Sequence, residues 1–113
     1  MTKEIALVYT TVSSKRFGRK LASELIKRKL AACVNIFAIN SVYRWKGKIE
    51  RAKEYALLIK TVKRKAKDVT KFLRENHEYE LPCVISLHAK ASEDFASWVE
   101  SECNVVKNRQ KWS

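Results

Sequence analysis

Between residues 77 and 83 the chain reads His77-Glu78-Tyr79-Glu80-Leu81-Pro82-Cys83, which places an imidazole, two carboxylates, a phenol and a thiol in one short segment. Imidazole and thiolate together suit Cu(I) or Zn(II), and oxygens from Glu78 and Glu80 would complete a site of modest affinity. His77 and Cys83 are therefore the candidate metal ligands. In an extended segment Glu78 and Glu80 share one side and Tyr79 takes the other. Cys83 also alternates in phase with Ile85 and Leu87, a pattern that places it in a core. Lys60 stands beside Thr61 at the end of an apolar run, where a cation removed from water needs an anionic partner unless it snorkels to solvent. With Tyr79 and Glu80 it forms the candidate set for a small anionic effector.

Signatures of catalysis are missing from the sequence. There is no pair of carboxylates in an apolar setting, no Gly-x-Ser-x-Gly and no His-Glu-x-x-His. A His77 and Cys83 nucleophile pair would lack an orienting third group and an oxyanion pocket. The expectation is a protein that binds without turning over a substrate. Its 24 Lys and Arg against 12 Asp and Glu give a net charge of +12, which raises nucleic-acid or scaffold binding as an alternative function. The aromatic and basic strand signature of ferredoxin-like RNA binders is absent from the first and third strands, so specific nucleic-acid recognition is not expected.

Stepping from these residues to the elements that hold them, 113 residues with 46% apolar content make one domain, spanning 1–113 with a core over about 4–102 and a basic tail over 105–113. No apolar run is long enough to cross a bilayer, so no membrane partner is expected. Met1 to Glu4 lead directly into the strand-like Ile5-Ala6-Leu7-Val8-Tyr9, which is unlike a signal-peptide core, and the expected location is cytoplasmic. Cys33, Cys83 and Cys103 are odd in number and far apart, as in a chain of reduced thiols; Cys33 and Cys103 are expected to pack, and His88 to be structural.

A strand over 4–12 ends at Ser13-Ser14, where a hydroxyl can cap a helix over 14–30 whose Phe17, Leu21, Ala22, Leu25 and Ile26 share a face, with Arg16, Arg19, Lys20 and Lys27 on the other. A hairpin follows, outward over 31–45, reversing at Lys46-Gly47 and returning to Thr61. Val62, Ala66, Val69, Phe72 and Leu73 make the apolar stripe of a second helix, with Lys63, Arg64, Lys67, Lys71 and Arg74 on its opposite, basic face. A strand over 81–89 and a last helix capped by Ser92, with Phe95, Trp98 and Val99 inward, complete the order βαββαβ plus a C-terminal helix. This is an α+β, ferredoxin-like arrangement.

An outward arm of that length would span about 50 Å at 3.3 Å per residue, against a compact-domain radius of gyration near 13 Å. The hairpin must protrude, and its end carries Val42, Tyr43, Trp45 and Ile49. Such an apolar tip implies packing against other copies of the chain.

Four motifs carry a family resemblance: Leu30-Ala31-Ala32-Cys33-Val34-Asn35-Ile36; Ser41-x-Tyr43-x-Trp45-x-Gly47-Lys48-Ile49; Leu58-Ile59-Lys60-Thr61; and His77-x-Tyr79-x-x-Pro82. In this order and spacing, over about 4–102, the chain resembles the CutA divalent-cation tolerance family. The resemblance implies a homotrimer similar to the PII signalling proteins, with clefts between subunits that take effectors. Tyr43, Trp45 and Tyr79 could line such a cleft, but aromatics on a hairpin are more often interface core, so Tyr43 and Trp45 are expected in the trimer interface. It implies a role in tolerance of copper and other divalent ions or, as in animals, in anchoring another protein, with no catalysed reaction. The family's proposed copper ligands are a cysteine ending the first strand and two adjacent histidines. Those positions are Tyr9, Asn76 and His77 here; Glu78 replaces a proline, and Cys83 stands where Glu is common.

Overall fold

The computed structural model describes residues 1–104, so the basic tail read from the sequence lies outside the described residues. The elements are β1 (Thr2–Val12), α1 (Lys15–Lys27), β2 (Cys33–Trp45), β3 (Lys48–Thr61), a short 3-10 turn (Lys63–Lys65) leading into α2 (Ala66–Asn76), β4 (Val84–Ser92) and α3 (Glu93–Cys103). The four strands form one antiparallel sheet in the order β2-β3-β1-β4. The ferredoxin-like topology is as expected.

Alternation decides what each sheet face carries. In β1, Ala6, Val8, Thr10 and Val12 point to one face and are buried there. Register puts Thr61, Ile59, Leu57 and Tyr55 of β3 beside them, and α1 and α2 cover this layer with Leu21, Leu25, Val69, Phe72 and Leu73. Gly18 lets α1 lie close: a Cβ there would come within 3.1 Å of Leu57 Cδ1 and 3.3 Å of Val12 Cγ2. The Ser14 hydroxyl accepts from the Phe17 N–H at 3.1 Å and fixes the start of α1, as expected.

The other face is covered only in part. Ala96, Val99 and Cys103 of α3 pack with Ile5, Leu7, Ala89 and Ala91, closing a second small core at one end. Beyond it Phe37, Ile85 and Leu87 remain 44%, 47% and 52% exposed. The hairpin reverses through Lys46 (φ 50°) and Gly47 (φ 81°), the two left-handed positions that a tight two-residue turn demands. It stretches the protomer to 57 × 35 × 20 Å with a radius of gyration of 15.8 Å, so the arm does protrude.

Element ends shift by a few residues from the sequence expectation, and two differences have a plain physical cause. The fourth strand starts at Val84 rather than Leu81, because Pro82 offers no N–H to a ladder and Tyr79 is tied elsewhere; Pro82 and Cys83 therefore precede the strand. Ser92 makes no side-chain cap to α3: the Asp94 carboxylate takes the Phe95 N–H at 2.8 Å, and Ser92 bonds to Asp94.

Candidate functional site

α2 ends at Asn76, and His77 turns into extended conformation (φ −78°, ψ 148°), which aims its ring at the end of β1. The Tyr79 N–H donates to His77 Nδ1 at 3.1 Å, so that nitrogen carries the lone pair. The proton is thus assigned to Nε2, which donates to the Thr11 carbonyl at 2.9 Å and lies 3.3 Å from the Thr10 hydroxyl. Both ring nitrogens are engaged, and a metal could gain His77 only by displacing one of these bonds. Phe17 and Tyr79 flank the ring, with centroids 6.2 and 4.9 Å away.

Glu78 accepts from the Ser13 N–H at 2.7 Å and the Ser13 hydroxyl at 2.8 Å, latching the loop onto the turn between β1 and α1. Glu80 is exposed. On the partly open face of the sheet, the Tyr79 hydroxyl donates to Glu54 at 2.7 Å. Burial, followed by this bond and the Glu54 charge, drives the Tyr79 phenol well above its usual value. Tyr9 is raised by burial and by its neighbours Cys83 and Glu54. The Cys83 thiol is raised as well, chiefly by burial and then by Glu54. At neutral pH Cys83 is a thiol, and a ligand only for a metal that can displace its proton.

Lys60 belongs to a different part of the same face. Its ammonium lies 3.8 Å from Cys33 Sγ and 5.9 Å from the centre of the Phe95 ring, and among the described residues no carboxylate comes within 4.0 Å of it. It stands six steps along β3 from Glu54, about 20 Å at 3.3 Å per residue. Within one protomer, then, the expected cleft residues divide: Tyr79 stands with Glu54, Tyr9 and Cys83, while Lys60 stands with Cys33 and Phe95. Tyr43 and Trp45 lie out on the hairpin, 44% and 37% exposed, with the Lys46 ammonium 5.7 Å from the Trp45 ring centre.

Sequence reasoning missed Glu54, and it placed Phe95 and Trp98 inward on the last helix, where they are 37% and 43% exposed because α3 covers only one end of the sheet and turns Ala96, Val99 and Cys103 toward it. The signal for Glu54 was an acid in phase with Ala56 and Leu58, on a face otherwise apolar at that end. No group of three or more His, Cys, Asp or Glu that could hold a metal occurs among the described residues. The arrangement offers a hydrogen-bonded acid and phenols at one end of the face and an unpaired cation at the other.

Comparison with known proteins converges on one group. The family model described as CutA1 divalent ion tolerance protein matches residues 6–102. The "Divalent-cation tolerance protein CutA" of Archaeoglobus fulgidus is 36% identical over 94 residues, covering 82% of this chain and 92% of that one. The "Protein CutA, chloroplastic" of Arabidopsis thaliana is 40% identical over 97 residues, but these cover 84% of this chain and 53% of that one, so the chain spans about half that relative's length. Among solved structures, CutA from Synechococcus elongatus superposes with a TM-score of 0.88 at 31% identity, covering 92% of this chain and 95% of the other. The periplasmic divalent cation tolerance protein CutA from Archaeoglobus fulgidus gives 0.85 at 33%, covering 90% and 100%. With the model matching nearly the whole described core, this chain belongs to the CutA1 divalent ion tolerance protein family.

Proposed function

We propose that the chain acts as a non-catalytic homotrimer in the response to divalent ions, copper among them, binding a small anionic effector or a metal complex in clefts between its subunits. The observation that carries this reading is the uncovered apolar face, with Phe37, Ile85 and Leu87 about half exposed and the apolar hairpin tip continuing beyond it. Unpartnered surface of this kind needs copies of the chain to cover it. The division of the face supports the cleft: Lys60 and the Tyr79–Glu54 pair, about 20 Å apart in one protomer, come together only when contributed by different protomers. Lys60 would then hold the anionic group, and Tyr79 and Glu80 would line the opposite wall. Tyr43 and Trp45 would hold the interface.

A metal bound to the protein alone has weaker support, since His77 is committed through both nitrogens and Cys83 keeps its proton. A chelated cation whose anionic ligands meet Lys60 fits these groups better. The three free cysteines suit a reducing compartment, and we assign the chain to the cytoplasm. Calorimetric titration with copper chloride, zinc chloride and their citrate complexes tests the reading. The complexes are expected to bind, and Lys60→Ala to abolish the heat. Equal heats for Lys60→Ala and the unaltered protein would refute the anion-held mode, and loss of heat in Cys83→Ser or His77→Ala would restore direct ligation.

A further inference from the structure

The net charge is not spread over the molecule. Residues 15–29 and 63–76, which are α1, α2 and their flanks, hold 13 of the 24 Lys and Arg but only three of the 12 Asp and Glu, Glu24, Asp68 and Glu75. The helix layer thus carries +10 of the +12, on the side of the sheet opposite the uncovered apolar face. Assembly through that apolar face leaves the helix layer outward.

Several of these cations have internal work. Lys27 and Arg28 pair with Glu24, Lys63 with Glu4 and Arg64 with Glu100, while the Lys65 ammonium donates to the carbonyls of Lys29 and Cys103. Lys67, Lys71 and Arg74 do not: among the described residues none has a carboxylate within 4.0 Å. They line an open groove of about 560 Å³ between α2 and β4, with the hydroxyl residues Thr70 and Ser86 and a single acid, Glu75. At 1.5 Å per residue, Lys67 to Arg74 covers about 10 Å, the length of roughly three phosphates at 3.4 Å per nucleotide of a stacked strand.

We infer that this groove is a docking surface for the phosphate backbone of a single-stranded nucleic acid, bound without regard to sequence. The lining contains cations and hydroxyls but no aromatic side chain, so it can position a backbone and cannot stack or read bases. A bilayer fits less well: the apolar residues of α2, Ala66, Val69, Phe72 and Leu73, are buried in the protein and none is left to insert. An acidic protein partner would need an apolar anchor pocket, which the groove does not supply.

The test uses the full chain and fluorescein-labelled U20 and A20 RNA, titrated by anisotropy over a range of salt. Both oligomers are expected to bind equally, with dissociation constants in the range of 10⁻⁶ to 10⁻⁴ M. Each single-strand phosphate contact contributes about 0.7 to the slope of log K against log salt, so replacing Lys67, Lys71 and Arg74 with Gln removes about 2 from the slope. That corresponds to about 100-fold weaker binding at 0.1 M salt, relative to 1 M where the contribution vanishes. The comparison variant replaces Lys107, Arg109 and Lys111 with Gln, the same change in net charge, and is expected to bind within a few-fold of the unaltered protein. Equal losses in the two variants, no binding by the unaltered protein, or a preference between U20 and A20 would each overturn the proposal. So would a groove variant that loses binding only to phosphatidylserine vesicles, which would assign the face to a membrane. Unchanged melting of both variants excludes misfolding as the cause of a loss.

Discussion

Leu87 tests the proposed trimer most directly, because alternation places it on the uncovered face and register sets it opposite Leu7, where α3 stops protecting the sheet. In the protomer 52% of it is exposed. Complete burial of a leucine is worth about 1.5–3 kcal/mol, so covering the remaining half contributes about 1 kcal/mol per copy and about 3 kcal/mol in a trimer. At about 1.4 kcal/mol per tenfold, Leu87→Ala should weaken the trimer association constant by about two orders of magnitude. Leu87→Asp should go further, since it also buries a carboxylate with no partner at a cost of several kcal/mol per copy. The assay is mass by light scattering and mass photometry, from micromolar to nanomolar protein, with circular dichroism to verify the fold. Ser86→Asp, one residue away but on the helix side of the sheet, should leave the mass unchanged. A Leu87→Asp protein that remains trimeric to nanomolar concentration with the original melting temperature would refute both the interface and the burial argument.

Other consequences can be measured on the same protein. Thr61 is fully buried and its hydroxyl donates to the Leu30 carbonyl at 2.7 Å; Thr61→Val strands that acceptor and should cost about 1–2 kcal/mol in urea unfolding. Gly47→Ala forces a side chain into φ 81° at the hairpin turn and should destabilise by about 1 kcal/mol, visible as a lower melting temperature. Iodoacetamide should label Cys83 more slowly than a free thiol at neutral pH, and Glu54→Gln should speed it by removing the second of the two influences that raise its pKa; an unchanged rate would dismiss Glu54 as a contributor. Arg64 holds the Glu100 carboxyl below its usual 4.5, so its contribution is complete above that value and is lost as pH falls through the depressed one. Glu100→Gln should therefore flatten the acid limb of the melting profile.

What could be read in advance followed the range of the interactions involved. The helical stripe from Ala66 to Leu73, the Ser14 cap and the Lys46-Gly47 reversal depend on neighbours within a turn or two, and each stands where periodicity put it; Val62, expected at the head of that stripe, instead precedes the helix in extended conformation and packs in the second core. Even the protruding arm was legible, because strand rise multiplied by length exceeds any compact radius. The Ser92 cap was not: Asp94 competed for the same N–H and reached it.

The site shows where local reasoning stops. His77-Glu78-Tyr79-Glu80 looked like a ligand set because the residue types were right and close in sequence. The fold commits His77 and Glu78 to β1 and the turn after it instead, with His77 between Thr11 and Tyr79 and Glu78 on Ser13, partners 65 or more residues away in sequence for the bonds to the strand and its turn. Cys83 and Glu54 became neighbours, and Lys60 was set far from Tyr79, through register across β3, β1 and β4. The amino-acid order alone determined the elements, the family motifs and the excess of positive charge. Only tertiary structure decided which groups share a face of the sheet and which nitrogen of His77 bears the proton, because each depends on contacts between strands that no local period encodes.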